Sequence, residues 1–265
     1  MYTLSPKQPN NQPLVTIVTI VLNGENFLER TINSVLSQTY ENIEYIVIDG
    51  GSTDGTVDIV KRFDSQINHW ISESDKGISD AMNKGIRLSS GILIQHLHAG
   101  DEFVSEETVS NIVSSYIAEN WRWCMGNQLL TNLSGDVVYK FFAPKFSNWL
   151  LRIVNTIPHA TVFAERSLFE ELGWFDPSYK CAMDYHLWLR FSLVSRPKQF
   201  DFYVAKFLIG GKSSNIQLAL GEEFRARREV LKRHVVYNVF DSLIISMRFL
   251  KHHLNIKTFA KKVDS

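Results

Sequence analysis

The sequence predicts an α/β protein with a mixed, mainly parallel central sheet flanked by helices. Residues 14–21, LVTIVTIV, form a β-branched run too continuous for a strand with one exposed face, which predicts a central parallel strand. Between residues 25 and 97, segments with the apolar spacing of helices alternate with further apolar runs. This alternation is typical of Rossmann-like sheets whose parallel strands are joined by crossover helices.

The elements follow one another closely. After the first strand we predict a helix over 25–38, a strand over 43–49, a helix over 55–63, a short strand over 69–73, a helix over 78–90 and a strand over 91–97. Beyond residue 120 we predict a hairpin from 122–130 and 136–142, strands over 159–164 and 200–208, and a helix over 183–193. The first half therefore has the regular alternation of a nucleotide-binding fold, and the second half is mixed.

Composition narrows the classes of protein. The 265 residues are 45% hydrophobic and 21% charged, which suits a globular domain with a substantial core. Lys plus Arg and Asp plus Glu are each 28, so the net charge does not suggest a nucleic-acid partner. Cys124 and Cys181 are too few and too far apart for a disulfide framework, and we expect two small core residues in a reducing cytoplasm.

Polar residues follow the second predicted strand. Asp49 stands at its carboxyl end, where open α/β sheets bind ligands, so it is a candidate acceptor for a ribose hydroxyl or a base N–H. Gly50 and Gly51 permit a sharp turn. For residues 52–55 the simpler interpretation is a cap for the next helix.

The loop after the third strand, SESDKGISDAMNKG, leaves two interpretations open. Asp75 and Lys76 precede a glycine, and Asp80 and Asn83 lie three residues apart on one helical face. A capped helix start explains part of this pattern, and a ligand site explains the rest equally well. No G-x-G-x-x-G follows the first strand, so a dinucleotide fingerprint is missing. Residues 210–214, GGKSS, lack the earlier glycine of a Walker loop.

Residues 92–103, ILIQHLHAGDEF, end a predicted strand with an imidazole and carboxylates. His98 and Asp101 could hold a divalent metal that carries a phosphate, because such ions take oxygen and imidazole ligands. The alternative is a loop that only turns the chain, with His98 as a hydrogen-bond donor behind Asp101.

These stretches together resemble the family 2 glycosyltransferases of GT-A fold. The resemblance rests on VTIVTIVLNGENFLERTINSVLSQTYENIEYIVIDGGSTDGT, SESDKGISDAMNKGI, LHAGDEF and DYHLWLR, in that order, and covers about residues 13–212. It implies a GT-A fold and an inverting transferase that uses a nucleotide-sugar donor, with UDP as the default nucleotide.

The resemblance also implies roles for individual residues. The nucleotide-sugar site would comprise Val21, Asn23, Glu25, Asp49, Asp75, Lys76 and Asp80. The metal signature D-x-D-D of the family falls on residues 98–101, where only Asp101 is retained and histidine replaces the first aspartate. We therefore expect Asp101 to bind Mn²⁺ or Mg²⁺, with His98 as a possible further ligand.

Transfer to a hydroxyl requires a base, and Asp184 is the candidate. A helix cap is the alternative from the sequence alone, and the resemblance favours the base. We expect the helix N-terminus to lower its proton affinity. His186 is better explained as a core-facing or solvent-facing imidazole without a role in the chemistry. His159 and Trp174 could line an acceptor pocket, although core packing explains Trp174 equally well.

We predict a loose arm over residues 1–12, a catalytic domain over 13–212 and a helical, basic extension over 213–265. From Glu222 onward there are ten Lys or Arg and five acidic residues. This extension either makes a peripheral contact with an anionic membrane or packs on the domain as a helix pair. The first alternative suits a cytoplasmic protein at the inner face of a bacterial membrane.

Two classes of function follow. The first is an enzyme that glycosylates a saccharide or lipid-linked acceptor during synthesis of a surface polysaccharide or glycolipid. The second is a non-catalytic module that binds a nucleotide-sugar or carbohydrate and has a degraded metal signature. The incomplete D-x-D-D favours the second, and the retained Asp49, Asp101 and Asp184 favour the first.

Overall fold

A computed structural model describes residues 12–210 and 216–232, and their strands form two sheets. The central sheet has the order β3-β2-β1-β4-β8. Its strands are β1 (Val15–Val21), β2 (Ile43–Asp49), β3 (His69–Ser72), β4 (Leu93–His96) and β8 (Phe163–Glu165). Pairing is parallel from β3 through β4 and antiparallel between β4 and β8. The predicted mixed, mainly parallel sheet is confirmed.

Helices cover both faces of this sheet. They are α1 (Leu28–Leu36), α2 (Thr56–Arg62), α3 (Ile78–Leu88), α4 (Thr108–Glu119), α5 (Asn148–Leu151), α6 (Arg166–Leu172), α7 (Met183–Val194) and α8 (Ile216–Leu231). All seven residues of β1 are buried, as its β-branched run predicts. Helix α3 packs closely on β1 because Gly85 has no side chain, and a Cβ there would collide with Val18.

Two apolar cores lie on opposite faces of the central sheet. Val18 and Ile20 of β1 belong to one core, whereas Val15 and Ile17 belong to the other. This division follows from the alternation of side chains along a strand. Both faces are therefore buried, and the polar residues that remain accessible concentrate at the ends of the strands.

The second sheet has the order β5-β9-β6-β7, and its strand β6 contacts β8 of the central sheet. Its strands are β5 (Glu102–Phe103), β6 (Cys124–Thr131), β7 (Val137–Phe141) and β9 (Lys198–Leu208). Strands β6 and β7 form the predicted antiparallel hairpin, and β9 pairs in parallel with β6. Strand β5 follows the segment 98–101 directly, so β9 holds that segment in place through β5.

Several local expectations need correction. His159 lies in a single 3₁₀ turn (His159–Thr161), and β8 begins only at Phe163. Cys124 is buried, but Cys181 is partly exposed because it precedes α7 in a surface turn, and neither forms a disulfide.

Within the described ranges, no helix is both long and apolar enough to cross a bilayer.

The predicted extension is described only in its first part. Helix α8 packs against α7. The basic tail over residues 233–265 lies outside the described residues, as do residues 1–11 of the predicted arm and residues 211–215.

Candidate active site

The loops after β1 and β2 are joined by hydrogen bonds. The backbone N–H of Asn23 donates to Ser52 Oγ at 2.7 Å, and Asn23 Oδ1 accepts from the Thr53 N–H at 2.9 Å. Glu25 Oε2 accepts from the Gly55 N–H at 2.9 Å. The Val21 side chain is buried, and its carbonyl accepts from the Gly50 N–H at 2.8 Å. The predicted residues of these loops therefore form one rigid rim beside the end of β2.

Asp49 is buried at the carboxyl end of β2, as predicted. Its Oδ1 accepts from Ser52 Oγ at 2.5 Å, and its Oδ2 accepts from Ser72 Oγ at 2.7 Å. The Gly51 N–H also donates to Oδ2, at 3.2 Å. These bonds fix the Asp49 carboxylate between the ends of β2 and β3. A hydrogen-bond donor of a ligand would therefore share carboxylate oxygens that already accept hydrogen bonds from the protein.

Asp75 lies against the same turn. A Cβ on Gly50 would be 2.6 Å from Asp75 Oδ2, so glycine permits the approach of the two segments. Asp75 Oδ1 is 2.6 Å from Lys84 Nζ. Burial nevertheless raises the pKa of Asp75 above its ordinary value. Asp49 and Asp75 are thus brought together at one edge of the sheet.

Lys84 joins the acidic groups of this edge. Its Nζ lies 2.9 Å from Glu73 and 3.8 Å from Asp80, and its side chain is only 12% exposed. Lys76 contributes through its backbone, since its N–H donates to Asp80 Oδ2 at 3.1 Å. Sequence reasoning missed Lys84, although its i,i+4 spacing from Asp80 was a usable signal.

Two histidines meet beyond the end of β4. The Nε2 atoms of His98 and His159 are 3.2 Å apart, so at least one ring is neutral and accepts. Burial lowers the pKa of His159 to about 4. Burial, followed by the proximity of His159 and His96, also lowers the pKa of His98. Both rings are therefore neutral near pH 7, the state in which imidazole binds metals.

Asp101 follows His98 by three residues in the chain and is buried. Its Oδ1 accepts from the Leu208 N–H of β9 at 3.0 Å. Burial raises the pKa of Asp101 to about 8, and nearby Glu102 raises it further, while the bond from Leu208 lowers it. Among the described residues Asp101 has no ion pair, so a cation bound there would relieve the cost of its burial.

The departure from D-x-D-D at position 100 has a steric reason. Gly100 has φ of 102°, in the left-handed region that favours glycine. A Cβ at this position would also lie 2.7 Å from Leu208 Cδ2. The backbone conformation, together with the nearby Leu208 side chain, therefore favours glycine over aspartate at residue 100.

Asp184 is the second residue of α7 and is half-buried. Its Oδ1 accepts from the Tyr185 N–H at 2.6 Å, and its Oδ2 accepts from Asn155 Nδ2 at 3.4 Å. Burial raises the pKa of Asp184 to about 6, and Glu223 raises it further, while the bonds from Tyr185 and Asn155 lower it. The expected lowering by the helix N-terminus is thus wrong, because desolvation outweighs it.

Trp188 connects Asp184 to the histidines. It lies one helical turn after Asp184, and its ring centroid is 6.1 Å from that of His159. His159 also packs beside Phe175, at 6.3 Å. The carboxylate of α7 and the imidazoles beyond β4 therefore belong to one region of the molecule.

Asp184 is not the cap of α7, contrary to the alternative that its position suggested. Ala182 occupies the N-cap position and has no side-chain bond. Glu222 of α8 instead accepts from the backbone N–H groups of Lys180, Cys181 and Ala182 at 2.8, 2.8 and 2.9 Å. Sequence reasoning could not identify this contact, because the glutamate lies 40 residues after the N-cap residue Ala182.

We expect Glu222→Ala to lower the free energy of unfolding by about 2 kcal/mol, because it leaves three N–H groups at a helix start without their acceptor. Urea unfolding monitored by circular dichroism measures this change. Glu170→Ala is a matched control, since Glu170 forms an exposed i,i+4 pair with Arg166 and should change stability by less than about 0.5 kcal/mol. Equal losses in the two variants would contradict the capping role.

The structure does not bring Trp174 to His159. The Arg87 guanidinium lies over the Trp174 ring at 5.5 Å from its centroid, on the outer side of α3. Phe175 packs beside His159 instead. Asn83 fixes that phenylalanine, since its Nδ2 donates to the Phe175 carbonyl at 2.8 Å and its Oδ1 accepts from the Phe175 N–H at 3.1 Å. Asn83 therefore has a structural role here.

Asp101 does not join His98 and His159 in a group of three close ligand atoms; among the described residues, the group with that geometry lies between α7 and α8. Potential ligand atoms of Asp176, His186 and Glu229 lie within 4.8 Å of one another. Glu229 already accepts from Tyr179 Oη and Arg225 Nε, both at 2.7 Å. His186 is buried and stacks on Tyr179 with ring centroids 4.6 Å apart, so it is the core-facing imidazole of the two alternatives. In this hydrogen-bonded state the cluster joins α8 to the domain.

A mixed sheet of this order, with acidic and imidazole groups beyond its strand ends, is the architecture of the GT-A glycosyltransferases. The model of the family "Glycosyl transferase family 2" matches residues 16–139. An uncharacterized glycosyltransferase of Mycobacterium tuberculosis is 32% identical over 213 residues, which cover 77% of this chain and 78% of the relative. The chain belongs to glycosyl transferase family 2.

Further similarities agree with this assignment. A PGL/p-HBAD biosynthesis glycosyltransferase of Mycobacterium bovis is 27% identical over 67% of this chain and 69% of its own. TarS 1–349 of S. aureus in complex with UDP-GlcNAc superposes with a TM-score of 0.68 at 15% identity, over 91% and 73% of the two chains. Mannosyltransferase PcManGT of Pyrobaculum calidifontis, in complex with GDP-Man and Mn²⁺, superposes with a TM-score of 0.65 at 16% identity, over 85% and 66%.

Proposed function

We propose that the protein is an inverting glycosyltransferase that moves a hexosyl or N-acetylhexosaminyl group from a nucleotide-sugar to a hydroxyl group. The observation that carries this proposal is the placement of Asp184 one helical turn from Trp188, whose ring contacts His159 beyond the end of β4. This proximity supports a site for Asp184 near the strand ends, where α/β sheets bind nucleotides.

Asp184 acts as the general base in this proposal. As the acceptor oxygen bonds to the anomeric carbon, its proton passes to the Asp184 carboxylate and the nucleoside diphosphate leaves with the electron pair of the broken bond. A pKa of about 6 suits this role, because the carboxylate is mainly ionised at pH 7 yet still basic enough to take a proton. Asn155 orients the carboxylate through its hydrogen bond.

The nucleotide is assigned to the edge formed by the ends of β1, β2 and β3. Asp49 and the rim from Val21 to Glu25 would contact the nucleoside, and Asp75, Lys76 and Asp80 would lie near the diphosphate. Lys84, between Asp75 and Asp80, supplies a positive charge beside that group. UDP is the proposed nucleotide, which is also the nucleotide part of the ligand in the TarS complex.

The donor groups of His98, His159 and Asp101 suit a divalent metal by their chemistry, although Asp101 lies outside the close pair that the two imidazoles form. The two imidazoles are neutral, and their Nε2 atoms, 3.2 Å apart, could both bind one ion at the usual metal–nitrogen length of about 2.1 Å. Asp101 is a buried carboxylate without a cationic partner among the described residues. Mn²⁺ suits this donor set better than Mg²⁺ does. Such an ion would neutralise charge on the leaving diphosphate.

The acceptor is proposed to be a saccharide or a lipid-linked saccharide in surface polysaccharide or glycolipid synthesis. The similarity to a PGL/p-HBAD biosynthesis glycosyltransferase supports the glycolipid alternative. His159 lies where it could border the acceptor. A peripheral position at the cytoplasmic face of the inner membrane, through the basic tail, belongs to the same proposal.

Release of nucleoside diphosphate from a panel of UDP-, GDP- and dTDP-sugars, with and without Mn²⁺, tests the proposed function. A transferase releases the nucleoside diphosphate from at least one donor, because water replaces the acceptor slowly. A module that only binds would retain every donor intact, and binding without release across the panel would contradict the enzymatic assignment.

Asp49→Ala should weaken binding of the nucleoside diphosphate at least tenfold, because a carboxylate at the crevice is lost. Isothermal titration calorimetry with UDP measures this change. Asp58→Ala is the matched control, since Asp58 is an exposed carboxylate of α2 that lies 3.9 Å from Lys61. This control should change stability by less than about 0.5 kcal/mol and leave the affinity unchanged. Wild-type affinity in Asp49→Ala would contradict the assignment.

A further inference from the structure

An exposed apolar surface lies on the hairpin strand β7 and the segment after it. Strand β7 is the edge strand of the second sheet, and its first four residues are exposed on both faces. Val138 is 51% exposed and Tyr139 59%. Two further aromatic rings follow, Phe142 at 65% and Trp149 at 71%. We call Val138, Tyr139, Phe142 and Trp149 the aromatic surface. Several large apolar side chains exposed along one short segment make that segment a candidate interaction surface.

The backbone between these rings is firmly held. The Ala143 N–H donates to Asn127 Oδ1 at 2.9 Å, and the Phe146 N–H donates to Gln199 Oε1 at 2.8 Å. The Phe146 ring is buried against Trp123, at 6.1 Å between centroids. The exposure of Phe142 and Trp149 is therefore a property of an anchored segment, whose buried side chains alternate with exposed aromatic ones.

The charged residues of strand β7 and the segment after it are all basic. Residues 137–152, VVYKFFAPKFSNWLLR, contain Lys140, Lys145 and Arg152 and no acidic residue. All three basic residues are exposed, and neither lysine pairs with an acid among the described residues. Basic residues interleaved with exposed tryptophan, tyrosine and phenylalanine are typical of protein surfaces that sit in the headgroup region of anionic bilayers.

A second copy of the chain is the main alternative occupant of an open edge strand. Lys140 lies within β7, however, and a lysine on an edge strand disfavours pairing with another strand. An anionic lipid surface, in contrast, complements the three positive charges and accepts the aromatic rings at the same time. The charge of the segment thus favours lipid over protein.

We propose that the aromatic surface, with Lys140 and Lys145, docks the protein on an anionic phospholipid membrane. Helix α5 links this surface to the active site, since the Leu151 carbonyl accepts from Tyr185 Oη at 2.6 Å, next to Asp184. Asn155, four residues further, donates to Asp184 itself. Docking would hold the acceptor side of the site near the bilayer, and this part of the inference rests on the proposed function with a lipid-linked acceptor.

Sedimentation of the full chain with vesicles of phosphatidylglycerol and phosphatidylcholine tests the proposal. We expect binding that weakens with salt. Lys140→Ala with Lys145→Ala should reduce the affinity about 25-fold, since each lysine contributes about fivefold at an anionic surface. Phe142→Ala with Trp149→Ala should reduce it at least tenfold. The matched control is Ile117→Ala with Lys61→Ala, an exposed apolar and an exposed basic residue of α4 and α2, which should bind as wild type does.

Circular dichroism and donor hydrolysis, measured in parallel, separate this inference from the proposed function. The four surface substitutions should leave both unchanged, because none of these residues belongs to the catalytic region. Absence of vesicle binding by the full chain, or equal binding by all variants, would overturn the docking surface even if donor hydrolysis persists. A dimer that the surface substitutions dissociate, without vesicle binding, would assign β7 to a second copy and would also overturn it.

Discussion

Asp184→Asn should reduce sugar transfer by at least about 10², the scale expected for loss of a positioned base. Asparagine retains the shape of the side chain and can still accept from the Tyr185 N–H, but it cannot take the acceptor's proton. Donor binding and the melting temperature should therefore stay near their wild-type values. The measurement is the rate of product formation at saturating donor, together with calorimetric binding of UDP.

Asp176→Asn is the matched control for this variant. Asp176 precedes α7 in the chain and lies beside His186, on the side of the helix that contacts α8. It should transfer at a rate close to that of the wild type. A folded Asp184→Asn protein that binds donor and transfers at the wild-type rate would remove Asp184 from the mechanism.

The pH dependence of the transfer rate should also report the ionisation of Asp184. Because the base must be ionised, and burial raises the pKa of Asp184 to about 6, the rate should fall as the pH is lowered through about 6. The Asn155 hydrogen bond favours the charged carboxylate, so Asn155→Ala should move this fall in rate to higher pH. A fall in the transfer rate centred near pH 4, the range of an ordinary carboxyl, would contradict a base whose pKa is raised by burial.

Removal of divalent metal should have the second large effect. We expect EDTA to suppress transfer and Mn²⁺ to restore it, because the departing diphosphate needs compensation of its charge. Asp101→Asn should abolish the stimulation by Mn²⁺. His159→Ala should raise the Mn²⁺ concentration for half-maximal activity at least tenfold, since it removes one of two imidazoles whose Nε2 atoms are 3.2 Å apart. Steady-state rates over a Mn²⁺ titration measure both effects.

Glu102→Gln is the matched control for Asp101→Asn. Glu102 is the next residue, but its carboxylate pairs with Lys206 at 3.2 Å and Arg30 at 4.0 Å. It should respond to Mn²⁺ as the wild type does. Transfer that is insensitive to EDTA would show that the segment 98–101 holds the diphosphate without a metal.

Much of the central sheet could be predicted from the sequence because its signals are local. The β-branched run of β1 and the alternation after it indicate a buried parallel sheet without any tertiary information. The position of Asp49 at the end of β2 follows from the same pattern, since a strand end is visible where an apolar run stops. The resemblance to family 2 glycosyltransferases then directed attention to Asp101 and Asp184.

The contacts that position the site residues and shift their pKa values join residues distant in sequence, so no local sequence pattern indicates them. Glu222 reaches the start of α7 from α8, and Leu208 donates to Asp101 across more than 100 residues. The pKa of Asp184 was expected in the wrong direction for the same reason: the helix dipole is apparent from sequence, whereas the burial that outweighs it depends on the whole fold. Likewise, the pairing of His98 with His159 requires β4 and the 3₁₀ turn to meet.

The stereochemistry of donor cleavage tests the central claim most directly, and it does not require the acceptor to be known. If Asp184 activates an oxygen nucleophile for a single displacement, the first sugar released from an α-linked UDP-sugar by water must be the β-anomer. Proton NMR at early times, before mutarotation, distinguishes the two anomers. We predict initial release of the β-anomer in the wild type and its loss in Asp184→Asn. Initial release of the α-anomer would contradict an inverting mechanism with Asp184 as its base.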